Sequence, residues 1–329
     1  MTTSALPPPL RLRPLQVDDA ERLAWLRGEV EEVDERGWHY DVEDCAEELA
    51  DPDVDLALDT VMVLDGDEPV AYLVVHKGEG AMTGQRVFAV GSVHPARRGQ
   101  GIGTALLGFA ARRAEELDAM LTAKVPEEMA DAVALFSDFG MAPVRWWSEL
   151  KRDLARPVAA VAVPDGLTLH PLGPDYDHDW DERLRTAHNA AFRDHWGSTP
   201  DTAAGFAHAR TYSKNFRPAC SVAACEAGGA VAGYVLSYEY DADFAHTGIK
   251  ELAVDTVGTV AEWRGKGVAA ALLAYVLAAA AEQGFEQAAL TVDSQNPTGA
   301  LGVYERAGFV LRRRETTFGR SRRAVAGTH

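Results

Sequence analysis

The sequence is poor in cysteine, in long apolar runs and in positive charge, and each shortage removes a class of protein. Cys45, Cys220 and Cys225 are the only cysteines in 329 residues, too few and odd in number for a disulfide framework. The expectation is a reducing, cytoplasmic setting. Cys220 and Cys225 lack CxxC spacing and a nearby histidine pair, so no metal is expected. The longest apolar run, Val268 to Ala281, is too short to span a bilayer and is closed by Glu282. The proline-rich start carries no apolar core of a signal peptide, so no membrane partner is expected. Acidic residues outnumber basic ones 50 to 32, and the net charge of −18 argues against nucleic acid as a partner.

What is present is a repeat. Arg98-Gly99-Gln100-Gly101-Ile102-Gly103 and Arg264-Gly265-Lys266-Gly267-Val268-Ala269 each follow a strand-like run and open an alanine- and leucine-rich helix. Glycine in such a turn lets backbone N–H groups approach a phosphate, and the positive helix end favours the anion. The two loops lie 166 residues apart, and two later glycines, Gly140 and Gly308, lie 168 apart. That near-constant offset predicts an internal duplication. Leu10 to Leu15 is mirrored by Leu167 to Leu172. The small, proline-bounded stretch Ala155 to Gly166 reads as the boundary. The expected division is 1–155, a linker over 156–166, and 167–329.

Each copy reads as strand, helix, hairpin, strand, glycine loop, helix, strand, short helix, strand, and the second copy has a further helix, Asp201 to Tyr212, before its hairpin. In the second copy the hairpin is Cys220 to Glu226 with Val231 to Tyr238, the strand entering the loop is Glu251 to Val260, and its helix is Val268 to Gln283.

These residues resemble the GNAT superfamily of acyl-CoA N-acyltransferases, whose loop reads Q/R-x-x-G-x-G/A. Both Arg98-x-x-Gly101-x-Gly103 and Arg264-x-x-Gly267-x-Ala269 fit. The first copy has the usual lead-in Val93-x-Pro95, whereas the second has Val257-Gly258-Thr259. Asn296-Pro297-x-x-Ala300-x-x-x-Tyr304-x-x-x-Gly308-Phe309 resembles the family's second region. The chain is similar to the tandem, two-domain members. The resemblance implies two α/β (α+β) folds, each a mixed, mostly antiparallel sheet flanked by helices, with two strands splayed beside the loop. It implies acetyl-CoA as co-substrate, no metal, and direct attack of an amine on the thioester. Val257, Thr259, Val260, Arg264, Gly265, Lys266, Gly267, Val268, Ala269 and Asn296 would hold the cofactor in the second copy. Val93, Arg98, Gly99, Gln100, Gly101, Ile102 and Gly103 would do so in the first.

Direct transfer needs a proton acceptor for the amine and an acid for the leaving thiolate. In this family a tyrosine near the second region often is that acid, which points to Tyr304. Glu251 and Asp255, four apart on the strand entering the loop, share a face by strand alternation with Ala253 and Val257. Glu251 is the first candidate for the base and Asp255 the second, with pairing to Lys250 as the structural alternative. A gapless alignment of the copies puts Phe136 at Tyr304, Glu128 at Asn296, Val87 at Glu251 and Gly91 at Asp255. The second copy is therefore expected to be catalytic, and the first to be a buttress, with an acyl-CoA-binding regulator or an evolutionary remnant as its alternatives.

Phe192, His195 and Trp196, with Asp194, form a candidate acceptor wall suited to a cationic or ring-bearing amine. Tyr238, Glu239 and Tyr240 are weaker candidates for the same cleft, and Arg312 to Arg314 with Arg320, Arg322 and Arg323 for a CoA phosphate. The expected function is acetyl-CoA-dependent acetylation of a small-molecule primary amine by a monomer or homodimer. The alternatives are a non-catalytic acyl-CoA sensor, and a protein lysine or N-terminal acetyltransferase.

Overall fold

A computed structural model describes residues 6, 8–80, 83–296 and 299–321. The first run of elements is β1 (Arg11–Arg13), α1 (Ala20–Asp34), α2 (Val42–Leu49), α3 (Leu56–Asp59), β2 (Thr60–Asp65), β3 (Glu68–Gly80), β4 (Gly84–Val93), α4 (Ile102–Glu116), β5 (Met120–Pro126), α5 (Ala130–Asp138) and β6 (Ala142–Asp153). The second is β7 (Leu167–Pro171), α6 (Trp180–Ala191), α7 (Ala203–Phe206), β8 (Val222–Glu226), β9 (Val231–Tyr238), α8 (Asp241–Thr247), β10 (Glu251–Thr259), α9 (Val268–Glu282), β11 (Gln287–Asp293), α10 (Ala300–Arg306) and β12 (Val310–Arg320). Helices α2, α3 and α8 are additions to the pattern read from the sequence.

The chain forms two compact units: one is assembled from two segments, residues 1–146 and 315–329, and the other is the single run 147–314. In the first unit the strand order is β1-β2-β3-β4-β5-β12, with β12 antiparallel to β5 from Glu315↔Pro126 to Arg320↔Leu121. In the second it is β6-β11-β10-β9-β8-β7, with β6 antiparallel to β11 from Trp147↔Asp293 to Asp153↔Gln287. The last strand of each sequence repeat thus completes the sheet of the other unit. A boundary drawn at the linker 156–166 does not reflect this, because composition marks where the chain is loose, not which edge a strand joins.

Alternation builds both cores. On β2 and β3, Val61, Val63, Leu73 and Val75 face α4, while Met62, Leu64, Tyr72 and Val74 pack with Leu23 and Leu26 of α1. In the second unit Val222, Val235, Leu252 and Val254 pack with Leu272, Leu273 and Val276 of α9; Ala223, Tyr234, Leu236 and Tyr238 pack with Leu184 and Ala187 of α6 and Phe206 of α7. Burying both faces fixes the sheet register, since a one-residue slip would exchange the two sets.

Candidate active site

The two glycine loops have the same backbone. Gly99 and Gly101 have φ of +74° and +79°, and Gly265 and Gly267 have +73° and +88°. Left-handed φ strains any side-chain-bearing residue, which is why glycine recurs here. The space where a Cβ would sit is open at all four. Gly101 and Gly267 are the N-caps of α4 and α9, and the next residues, Ile102 and Val268, are buried and anchor the helix starts. The first-turn N–H groups therefore open onto an uncrowded loop suited to an anion. Gly103 serves packing instead: a Cβ there would stand 2.9 Å from the end of the Leu135 side chain, which would have to shift. The second copy carries Ala269 at that position. Lys266 lies with Nζ 4.8 Å from the Trp263 ring centre, and Gln100 is exposed.

The leading arginines are not spread into solvent. Arg98 Nε donates to Val93 O (3.3 Å), and its terminal nitrogens reach Asp34 at 2.7 and 3.0 Å. Arg264 Nε donates to Thr259 O (3.2 Å), Nη2 to Ala191 O (2.7 Å), and Nη1 lies 3.4 Å from Asp194. Each loop is thereby tied to the strand before it and to the end of the unit's first long helix. The 3-10 turns Pro95–Arg97 and Ala261–Trp263 keep the 166-residue offset. The structural counterpart of Val93-His94-Pro95 is consequently Thr259-Val260-Ala261, and the lead-in assigned from sequence to Val257-Gly258-Thr259 is two residues early. Val260 N donates to Ala232 O (3.0 Å).

Beside each loop two strands part. Parallel pairing of β4 with β5 covers Arg86–Phe88, and that of β10 with β11 covers Glu251–Ala253. Past those rungs, Ala89–Val93 and Val254–Thr259 have lost their parallel neighbour. Asn296 follows β11, its N–H donating to Asp293 O (3.1 Å).

The units differ at one backbone feature. The β3–β4 register runs from Ala71↔Val93 to Gly80↔Gly84 without a shift. The β9–β10 register shifts between Val254 and Thr256, so Asp255 is the extra residue of a β-bulge. Two expectations change as a result. Ala253 packs on the α6 side and Val257 on the α9 side, so strand alternation does not carry through from Glu251 to Val257. The ladder also moves by one residue: Ala253 pairs as Phe88 does, which makes Arg86, not Val87, the counterpart of Glu251. Asp255 has no counterpart.

Glu251 accepts from Lys151 Nζ at 2.7 Å, with both side chains about one-quarter exposed. The alternative pairing with Lys250 does not occur; Lys250 Nζ donates to Gln283 O and lies over the Phe285 ring. Asp255 is half exposed and accepts from Thr256 Oγ1 at 2.7 Å. Tyr304 lies on α10 with its ring 6.2 Å from that of Phe309, and burial pushes its pKa up to about 12. Phe309 N donates to Tyr304 O, as Met141 N does to Phe136 O, so Phe136 is the true counterpart of Tyr304.

Phe192, His195 and Trp196 come together. His188 stacks on Phe192 (4.6 Å), Phe192 meets His195 (5.4 Å), and Trp147 lies 6.0 Å from His195 and 6.3 Å from Trp196. Trp147 escaped the sequence reading because it stands on β6, in the other repeat. Behind Phe192 lies a partly buried polar group that was also missed, formed by His188, Asp201, Arg210, Tyr234 and Thr256. His188 Nδ1 pairs with Tyr234 Oη at 2.5 Å, and burial with Arg210 nearby lowers its pKa to about 3. The faint sequence signal was Tyr72 and Tyr234 at matching hairpin positions.

The remaining candidates are engaged in structure. Tyr238 is buried, Glu239 pairs with Arg217 (2.9 Å), and Tyr240 packs beside Tyr238. Arg312 pairs with Glu149, and Arg320 lies over Phe139. Pro297, Arg322 and Arg323 lie outside the described residues. Cys45, Cys220 and Cys225 are buried thiols. Among the described residues no cluster of three or more histidine, cysteine or acidic side chains could hold a metal ion, and no helix is long and apolar enough to cross a membrane.

The model of the acetyltransferase (GNAT) family matches residues 20–141 and 181–309. The chain belongs to the GNAT family. Its two matches coincide with the two glycine-loop units, and it is an acetyltransferase. It is 30% identical over 259 residues to a mycothiol acetyltransferase from Salinispora tropica, covering 74% of this chain and 80% of that protein. A mycothiol acetyltransferase from Pseudarthrobacter chlorophenolicus is 30% identical over 220 residues, 66% of this chain and 65% of that one. Among solved GNAT structures, a tandem GNAT protein from the clavulanic acid biosynthesis pathway superposes with a TM-score of 0.69 at 19% identity, over 94% of this chain and 98% of the other. A GCN5-related N-acetyltransferase from Sphaerobacter thermophilus gives 0.68 at 24% identity, over 96% of each.

Proposed function

We propose that the second unit transfers an acetyl group from acetyl-CoA to a primary amine of a small molecule. The observation that carries this is the contrast between units. Both have the open glycine cradle and the parted strands, but the positions of Glu251, Asp255 and Tyr304 in the second unit correspond to Arg86, to no residue, and to Phe136 in the first.

The cradle fits the pyrophosphate of acetyl-CoA: Gly265 and Gly267 leave their Cβ space open, and the N-terminus of α9 favours negative charge. The unpaired edge of β10 past Ala253 offers backbone groups to an extended pantetheine arm. Acetyl-CoA contributes the thioester; this chain's residues bind it and move protons. Glu251 is the first choice to take the proton of the attacking amine, held in place by Lys151, and Asp255 is the second. Tyr304, with its pKa raised to about 12, stays protonated at neutral pH and donates to the departing thiolate. The aromatic wall of Phe192, His195 and Trp196, with Trp147, suits a cationic or ring-bearing acceptor. The relatives' names make the unacetylated precursor of mycothiol the first acceptor to try.

The test is CoA-thiol release with acetyl-CoA and a panel of amines, using the intact protein and Glu251→Gln, Asp255→Asn and Tyr304→Phe. Loss of kcat in Tyr304→Phe and in at least one carboxylate variant supports the assignment. Full turnover in all three overturns it. Absence of turnover in the intact protein, with acetyl-CoA still bound, favours an acyl-CoA sensor.

A further inference from the structure

We infer that Arg210 is a positioning residue that clamps the β10 bulge and so fixes the orientation of Asp255. This rests on the reading of the second unit as the catalytic one.

Arg210 sits in a π-helical turn over Ala207–Thr211, directly after α7, a local geometry that recurs at functional sites. Its side chain is 19% exposed and has a partner for each nitrogen. Nε donates to Asp201 Oδ2 (3.2 Å), Nη2 lies 3.3 Å from His188 Nε2, and Nη1 donates to Thr256 Oγ1 (3.1 Å) with Asp255 Oδ2 at 3.6 Å. Thr256 Oγ1 in turn donates to Asp255 Oδ2 at 2.7 Å. One planar guanidinium thus joins the π turn and α6 to the two residues that define the bulge. A planar fork holding three directions at once restricts geometry in a way that a single ammonium cannot.

The environment fits an anchor. His188 is held neutral by burial, so it accepts from the guanidinium without adding a second positive charge. Tyr234 fills the strand face below it, and a Cβ on Gly258 would stand 2.5 Å from the Tyr234 ring. Glycine at 258 is what lets β10 cross over that ring just past the bulge. The Tyr238 hydroxyl is buried and makes no hydrogen bond among the described residues. Arg210 and Thr256 contact Asp255, the Tyr238 and Tyr234 phenols lie near enough to feel its charge, and Asp201 pairs with Arg210.

The other unit is an internal control. There the tyrosine matching Tyr234 is Tyr72, which accepts from Arg27 Nε at 3.1 Å, while Arg27 also pairs with Glu48. That arginine sits on α1, its bonds go to Tyr72 of β3 and Glu48 of α2 and not to β4, and β4 has no bulge. The bulge occurs where an arginine reaches the strand and not where it does not.

The experiment uses the full chain and the variants Arg210→Met, Arg210→Lys and Asp255→Asn. Backbone amide hydrogen exchange reads the clamp independently of activity. Arg210→Met is expected to lose protection by about tenfold or more at residues 254–257 while α9 keeps its own. Steady-state kinetics then read its consequence. In Arg210→Met, kcat falls by about 10- to 100-fold with the KM for acetyl-CoA changed less than about twofold, as for a misplaced group next to the chemistry. Arg210→Lys recovers part of the kcat, and free guanidinium recovers part of it in Arg210→Met. Combined with Asp255→Asn, the Arg210→Met loss shrinks, since the two act through one carboxylate. Equal loss of exchange protection in β10 and α9, or a kcat loss additive with Asp255→Asn, overturns the clamp and leaves Arg210 a packing residue. If no acceptor is acetylated by the intact protein, the catalytic reading fails, and the exchange data still decide whether Arg210 holds the bulge.

Discussion

Lys151 Nζ lies 2.7 Å from Glu251 Oε2, and Lys151 belongs to the strand that ends the first sequence repeat. The base candidate of the second unit is therefore oriented by a residue 100 positions earlier. Lys151→Met is expected to lower kcat by about fivefold to tenfold, less than Glu251→Gln at about a hundredfold or more, because it removes the holder and leaves the carboxylate. Steady-state rates of both variants and of the double variant check this. A Lys151→Met loss that persists undiminished in the Glu251→Gln background would detach Lys151 from Glu251.

Tyr304 is expected to act as a donor over the whole accessible pH range. Its pKa is raised to about 12, so it does not titrate below about pH 11. The Tyr304→Phe variant should lower the kcat–pH profile by about a hundredfold at every pH without moving its limbs. A basic limb that disappears in Tyr304→Phe would mean that the phenol ionises earlier than its burial implies.

His188 makes the protein less stable in acid. Its pKa falls from 6.5 to about 3 on folding, so the unfolded chain binds the extra proton between those values. The contribution is present above about pH 6.5 and is lost progressively as pH falls toward 3, by a few kcal/mol at most. Urea denaturation at pH 7 and pH 4.5 should show a larger loss for the intact protein than for His188→Gln. Equal losses would assign acid sensitivity to other groups.

The two loops are expected to separate in binding. Gly267→Glu forces a side chain onto φ of +88° and puts a carboxylate at the anion cradle, so acetyl-CoA turnover should vanish. Gly101→Glu, in the unit with Phe136 and Arg86, should leave turnover within about twofold. Calorimetry on the same variants counts sites. Loss of turnover in Gly101→Glu, with the fold retained, would give the first unit a role in catalysis.

The sequence by itself determined what is local. Loop glycines, strand alternation and helix spacing are written within a few residues, and so the duplication and the family resemblance were legible, and the resemblance in turn implied the splayed-strand sheet. The same short patterns marked both glycine loops as helix starts and singled out Phe192, His195 and Trp196, which the structure gathers, while the roles of the cradle residues and of Tyr304 are expectations carried by the family resemblance. Tertiary structure alone decided what depends on distant partners. Which sheet edge β6 and β12 join is set by pairing across more than 130 residues, and that choice brings Lys151 to Glu251 and Trp147 to His195. The bulge at Asp255 is a property of the β9–β10 pair, invisible in β10 read alone, and it moves the counterpart of Glu251 from Val87 to Arg86. Arg210 has no sequence signature, because its partners come from α6, β10 and the loop before α7, and only folding brings a guanidinium and a strand distortion within a hydrogen bond of each other.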